Sequence, residues 1–178
     1  FRVPGAISRE TLDRGMTKVK YLSEYYSTMR RGVVPHEVMI HEDNVMELAA
    51  FDYVFLCVDR SDVRQLVLRA IADTEVTVID VGMGLNLSHD QESIWGTCRV
   101  TASTPSTRDI ALGRIPKADR DEDLYASNIQ VADFNCLNAA MAVAKWKRMS
   151  GFYLDDHDEY ETTFSVNLNQ LSRLEQPQ

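Results

Sequence analysis

Residues 53–58 read YVFLCV, an unbroken apolar run closed by Asp59. Aromatic and β-branched residues in a run of that length predict a strand buried on both faces. Val63, Leu66, Val67, Ala70 and Ile71 then recur at helical spacing, so residues 61–72 predict a helix that follows after a short turn. A second apolar run, VTVIDV over residues 76–81, contains Asp80 and ends before Gly82. Strand, helix and strand within about thirty residues make the parallel crossover unit. Ligands of open parallel sheets gather at the carboxyl ends of strands, so Asp59 and Asp80 are the first candidates for chemistry.

The flanking segments extend the alternation of helix and strand. Ser8 predicts a cap for a short helix over residues 9–13, stopped by Gly15. Thr17 predicts the cap of a longer helix carrying Val19, Leu22, Tyr26 and Met29 on one face, with Gly32 as its stop. Lys18 then falls in a first turn, where the helix dipole disfavours a cation unless an anion shares the site. Alternation over residues 36–41 predicts a strand with His36 and His41 at its ends and on opposite faces, which argues against a shared metal ion. A short helix over residues 44–50 leads into the central strand.

Further along, GMGLNLS reads as a turn, since two glycines without a following helix are weak grounds for a phosphate loop. GTCRVT (96–101) and residues 162–168 alternate as strands, and the tail after them is polar. Between these strands, residues 103–127 predict a long loop, and residues 128–149 the longest helix. Apolar residues run nearly all the way round that helix, so burial on most sides is expected. Residues 155–161 are an acidic run that reads as a solvated loop, with hard-cation binding as its alternative. The fold class is therefore α/β, a Rossmann-like three-layer arrangement with a mostly parallel sheet that turns antiparallel toward the C-terminus.

Composition narrows the function classes. The chain has 178 residues, 44% of them apolar, which suits one domain spanning 1–178. A net charge of -8 lacks the basic balance of a general nucleic-acid binder. Apolar runs fall well short of the roughly 20 residues a membrane helix needs, so a cytoplasmic protein with neither nucleic acid nor membrane as partner is expected. Cys57, Cys98 and Cys136 are too scattered for a disulfide framework or a zinc pair, and read as buried thiols. Opening on Phe1 rather than Met suggests a piece of a longer protein.

FDYVFLCVDRSDVR resembles the "CTDN...R" strand-to-helix segment of the ThiF/MoeB and ubiquitin-activating superfamily. TKVKYLSEYYSTMR, IDVGMGL, GTCRVT and NIQVADFNCLNAAMAVAKWKRM are similar, in the same order, to the family's lysine helix, its following strand and turn, the strand before its crossover loop and the long helix after it. The resemblance covers nearly the whole chain, from Arg2 to about Leu171. It implies ATP-dependent adenylation of the C-terminal carboxylate of a ubiquitin-like or sulfur-carrier protein, in a ThiF-like domain whose crossover loop is 103–127. Carried over by residue, Arg2 and Lys18 would reach the ATP phosphates, and Asp59 would hold Mg²⁺; Lys18 and Asp59 are the implied catalytic pair. Without the resemblance, Asp59 reads equally well as a helix N-cap.

Three features depart from the family pattern. The glycine-rich nucleotide loop would precede Phe1, which leaves the domain incomplete at its N-terminus. The crossover loop holds no cysteine for a thioester, and the paired C-x-x-C zinc site is missing. The alternative is a non-catalytic ThiF-like module for dimerisation or carrier docking; a weaker one is another α/β nucleotide or methyl-donor enzyme using Asp80. A homodimer, or a chain packed against its own missing half, is expected, with the apolar helix from Val131 to Trp146 or an open strand edge at the contact.

Overall fold

A computed structural model describes residues 7–90, 92–114 and 131–175, in two compact units. The smaller unit, Gly5–Ile40, holds helices α1 (Arg9–Asp13) and α2 (Lys18–Ser27). The Ser8 hydroxyl accepts from the Thr11 amide at 3.1 Å and the Thr17 hydroxyl from the Lys20 amide at 3.3 Å, as N-caps do. Gly15, at positive φ, follows the C-cap Arg14 and ends α1, whereas α2 already ends at Ser27 with Thr28 as its C-cap, five residues before the expected stop at Gly32. The strand expected over residues 36–41 does not form. Val38 and Met39 stand exposed, and alternation alone does not bury a face of the segment against a core.

The larger unit is a five-stranded mixed sheet in the order β1 (Tyr53–Leu56), β2 (Thr77–Leu87), β3 (Ile94–Ser103), β4 (Glu159–Ser165) and β5 (Gln170–Glu175). A 3-10 turn, Val45–Ala50, precedes β1. Only β1 and β2 run parallel, joined through helix α3 (Ser61–Ala70); the other three pairings are antiparallel. The mostly parallel sheet expected from the sequence is thus corrected to one parallel pair, while the antiparallel C-terminal strands are as expected. The reason lies in the connections. The β2–β3 link is a hairpin closed by the Ser88 amide on the Ser93 carbonyl at 2.8 Å, and β4–β5 turns through Asn169 at φ 47. Such short links impose antiparallel pairing.

GMGL is not a turn but the second half of β2. Met83 and Leu85 pack against Cys98, Phe134 and Phe164, which keeps the strand going. Strand β5 occupies the tail read as polar; all six of its residues are exposed, so no apolar pattern marked it.

Period-two alternation assigns the two faces. One face carries Tyr53, Ile79, Val81, Met83, Leu85, Cys98 and Val100, and packs on helix α5 (Ala132–Met149) through Phe134, Met141, Ala142 and Trp146. Burying a side chain such as Ile79 there contributes about 1.5–3 kcal/mol. The opposite face carries Asp80, Gly82, Gly84, Thr97, Arg99, Thr101, Glu161 and Thr163, beside α3 and helix α4 (Arg108–Arg114). Helix α4 lies inside the segment expected to be loop; residues 115–127 of that segment fall outside the described residues.

Helix α5 is buried along one stripe only, Phe134, Asn138, Ala142 and Lys145, and not on most sides. Its outer Leu137 and Val143 are exposed. The alanines that make the helix look apolar all round carry too little surface to demand burial. Cys98 is buried as expected, but Cys136 is only half-buried and Cys57 is exposed at the end of β1. No helix among the described residues is long and apolar enough to cross a membrane.

Candidate functional site

The strand registers line up the open face of the sheet in rows. Leu56, Asp80, Thr101 and Glu161 are successive partners across β1, β2, β3 and β4, and the next row is Gly82, Arg99 and Thr163. β1 stops at Leu56, level with Asp80, while β2 continues to Leu87. Beyond the end of β1 the sheet face therefore lies open, and a cleft of about 480 Å³ forms there. Asp59 stands at its rim, Arg64 and Arg114 come in from α3 and α4, and Arg99 and Glu161 rise from the floor. Gly82 and Gly84 keep that floor low. A Cβ on Gly82 would lie 3.4 Å from Arg99 Nη2 and 3.6 Å from Arg64 Nη1, so the glycine makes room for two guanidinium groups.

Two buried carboxylates organise the arginines. Asp80, with a side chain 2% exposed, pairs through Oδ1 with Arg64 and through Oδ2 with Arg99 Nη2 at 3.1 Å. Arg64 also donates to the Val58 carbonyl and, at 3.1 Å, to the Val81 carbonyl. It therefore ties the exit of β1 to β2 one residue before Asp59, and so positions the turn that carries that carboxylate. Glu161, equally buried, accepts from Arg114 Nη2 at 2.5 Å and from the Thr101 hydroxyl at 3.0 Å. Burial pushes the Glu161 carboxyl up, but the hydrogen bonds from Arg114 and Thr101, with the charges of Arg114 and Arg99, outweigh it and hold the group below the usual carboxylate range. The same pairing raises Arg114.

Arg99 bridges the two carboxylates, with Nε 4.0 Å from Glu161 and Nη1 on the Arg114 carbonyl at 3.3 Å. Its Nε is buried without a hydrogen-bond acceptor among the described residues. Three guanidiniums against two buried carboxylates leave one excess positive charge in the cleft, and Asp59 at the rim cancels it. A free anion gains little from such a balance.

The cation question has a structural answer in the donor set. Among the described residues no three His, Cys, Asp or Glu side chains are placed to hold a metal ion together. Mg²⁺ suits a site with one carboxylate when phosphate oxygens and water supply the remaining ligands, and the single exposed carboxylate of Asp59 fits that use.

Of the residues singled out by the sequence, Asp59 is exposed and lines the cleft, while Asp80 lies under it as a buried ion-pair hub inside β2 rather than at a strand end. The capping alternative for Asp59 does not hold, because Arg60 is the N-cap of α3. Lys18 is the exposed first residue of α2, in the smaller unit. Arg2 lies outside the described residues. His36 and His41 are exposed. The acidic run is only partly a solvated loop: Glu159 and Glu161 are buried strand residues paired with arginines, which the charge pattern alone concealed.

Arg64, Arg99, Arg114 and Glu161 escaped the sequence reading. Arg64 had a signal, since it closes the DRSDVR segment that resembles the family's strand-to-helix motif; Arg99 had another, as the charged residue on the polar side of GTCRVT. Neither reveals its carboxylate partner. Compared with models of known protein families and with curated proteins, the chain matches none.

The depressed Glu161 carboxyl makes stability pH-dependent in a defined direction. Its ordinary value is 4.5, and a group held lower when folded contributes stability that is complete above that value and lost as pH falls through the folded value. Denaturant midpoints measured from neutral pH into this acid range should fall more steeply for the unmutated chain than for Glu161→Gln. Parallel curves would show that the Arg114 and Thr101 contacts do not stabilise the ionised form.

Proposed function

We propose that this cleft is the phosphate and magnesium end of an adenylation site, where ATP activates the C-terminal carboxylate of a ubiquitin-like or sulfur-carrier protein. The observation that carries the reading is the exposed Asp59 carboxylate, just past the carboxyl end of β1, at the rim of a cleft lined by Arg64, Arg99 and Arg114. Asp59 and Arg64 both lie in the segment that resembles the ThiF/MoeB strand-to-helix motif, and the parallel β1–α3–β2 unit supports that reading, since the family motif runs from a strand into a helix.

Attack of a carboxylate on ATP brings negative charges together, so the work of the protein is positioning and charge stabilisation. Mg²⁺, when bound, would neutralise charge on the phosphates. Asp59 would anchor it, Arg99 and Arg114 line the cleft that the phosphates would enter, and Lys18 and Arg2 are the further phosphate contacts the resemblance implies. Arg64 is a positioning residue, committed to Asp80 and two backbone carbonyls. Partners in this reading are the carrier protein and a second copy of the chain.

Gly84 supplies the test of place. A Cβ there meets nothing within 4 Å, so the side chain of a valine starts from open space above the cleft floor. Calorimetric titration should show MgATP binding to the unmutated chain, at least a tenfold loss of affinity in Gly84→Val, and no change in thermal midpoint. Equal affinity in the two proteins would remove the nucleotide from this cleft.

A further inference from the structure

Helix α5 turns one side to the sheet and leaves another bare. Phe134, Asn138, Ala142 and Lys145 form its buried stripe, whereas Asp133, Leu137, Ala140 and Val143 are exposed. Leu137 and Val143 remain 38% and 43% exposed, and they stand one turn to either side of Ala140. Asp133 and Lys147 stand two turns to either side of it, in the first and last turns of the helix. Residues 133, 137, 140, 144 and 147 alternate spacings of four and three, the seam period along which two helices pack.

That strip is symmetric about Ala140. Positions 137 and 143 are equidistant from it and both apolar, and positions 133 and 147 are equidistant from it and opposite in charge. The helix dipole accounts for a carboxylate in the first turn and a cation in the last. It does not put both on the side of the helix that carries the exposed Leu137 and Val143. A second copy of α5 laid antiparallel, with a two-fold axis at Ala140, sets Asp133 opposite the partner's Lys147 and Leu137 opposite the partner's Val143. Parallel pairing instead opposes carboxylate to carboxylate and ammonium to ammonium, so charge selects the antiparallel arrangement. At the axis the alanines carry nothing beyond Cβ and let the helices approach to about 8 Å. Lys147 is already held at its end of the strip, since its Nζ lies 4.7 Å from the Phe152 ring centroid and 5.5 Å from that of Tyr153.

We propose that the outer strip of α5 is the contact of a two-fold dimer, in which it packs antiparallel on the same strip of a second copy of this chain. Each residue of the strip then meets its complement twice, as an isologous interface requires. Contact along a single helix is smaller than the interface of a permanent dimer, so the association is reversible, with a dissociation constant on the order of 10 µM. The strip shares no residue with the phosphate cleft, which lies on the other face of the sheet, and the proposal stands whether or not that cleft binds ATP.

The test is sedimentation equilibrium on the whole chain and its charge variants. The unmutated chain should dimerise, and Ala140→Arg, which drives a long cation into the axis, should leave a monomer with an unchanged thermal midpoint. Asp133→Lys and Lys147→Glu should each weaken association at least fivefold, because each opposes like charges at both ends. An equimolar mixture of those two variants restores opposite charge at both ends, and should dimerise within about twofold of the unmutated chain. A monomer at about 100 µM overturns the proposal, as does a dimer indifferent to Ala140→Arg, which would place the contact elsewhere. A mixture no stronger than its components overturns the antiparallel register. Asp133 and Ala140 are exposed, so their variants decide the matter even if Lys147→Glu, which gives up its ring contacts, folds poorly.

Discussion

In a full-length protein that carries the glycine-rich loop expected before Phe1, Asp59→Ala should lower carrier-dependent ATP–pyrophosphate exchange by at least a hundredfold, which corresponds to about 2.7 kcal/mol of lost transition-state stabilisation. The present chain alone should show little exchange. Metal-assisted charge stabilisation is worth several kcal/mol, so removal of its protein anchor supports a loss of that size. The side chain is exposed and Arg60, not Asp59, caps α3, so stability should change by no more than about 0.5 kcal/mol. Carrier binding should persist, because the effect falls mainly on the reaction step. Asp62→Ala is the matched control: it is an exposed carboxylate three residues on, paired with Arg60 and outside the cleft lining, and it should leave exchange intact. Full exchange in Asp59→Ala would refute the metal assignment and with it the adenylation reading of this cleft.

Asp80→Ala should destabilise the fold by about 3–5 kcal/mol, a large share of what holds an ordinary domain together. Asp80 is the shared partner of Arg64 and Arg99, whose side chains are 10% and 23% exposed, and its loss strands two guanidiniums in poorly solvated surroundings. The damage is greater than one missing contact, because Arg64 also joins the Val58 and Val81 carbonyls across the β1 exit. Asp80→Asn keeps shape and one acceptor oxygen but not the charge, and should fall between the two. Urea midpoints with unchanged slopes measure the series. A loss below about 1 kcal/mol in Asp80→Ala would mean that the pairs merely offset their own desolvation.

The candidate site was half legible in the sequence. Asp59 and Asp80 were visible because a carboxylate in or after an apolar run breaks a local pattern. Their difference in role was not, since exposure depends on β1 ending at Leu56 while β2 continues to Leu87. Glu161 reads from the sequence as one member of an acidic run. Only pairing with Thr101, itself opposite Asp80, places it in the floor of the cleft.

What the sequence determined by itself is whatever depends on neighbours within a few positions: the Ser8 and Thr17 caps, the stop at Gly15, and the strand–helix–strand unit from Tyr53 to Val81. Those features rest on local backbone geometry and on hydrophobic period. What the tertiary structure decided is whatever depends on partners far along the chain. No strand forms over residues 36–41, although they alternate, and one forms over the polar residues 170–175, which pair with β4. The tertiary structure buried Lys145, sited where a C-terminal helical turn would usually present a cation to solvent, because the stripe that begins at Phe134 carries it under the sheet. It also drew Arg64, Asp80, Arg99, Arg114 and Glu161 into one network across three strands and two helices, since a buried charge is tolerable only beside its opposite and that opposite can come from anywhere in the chain.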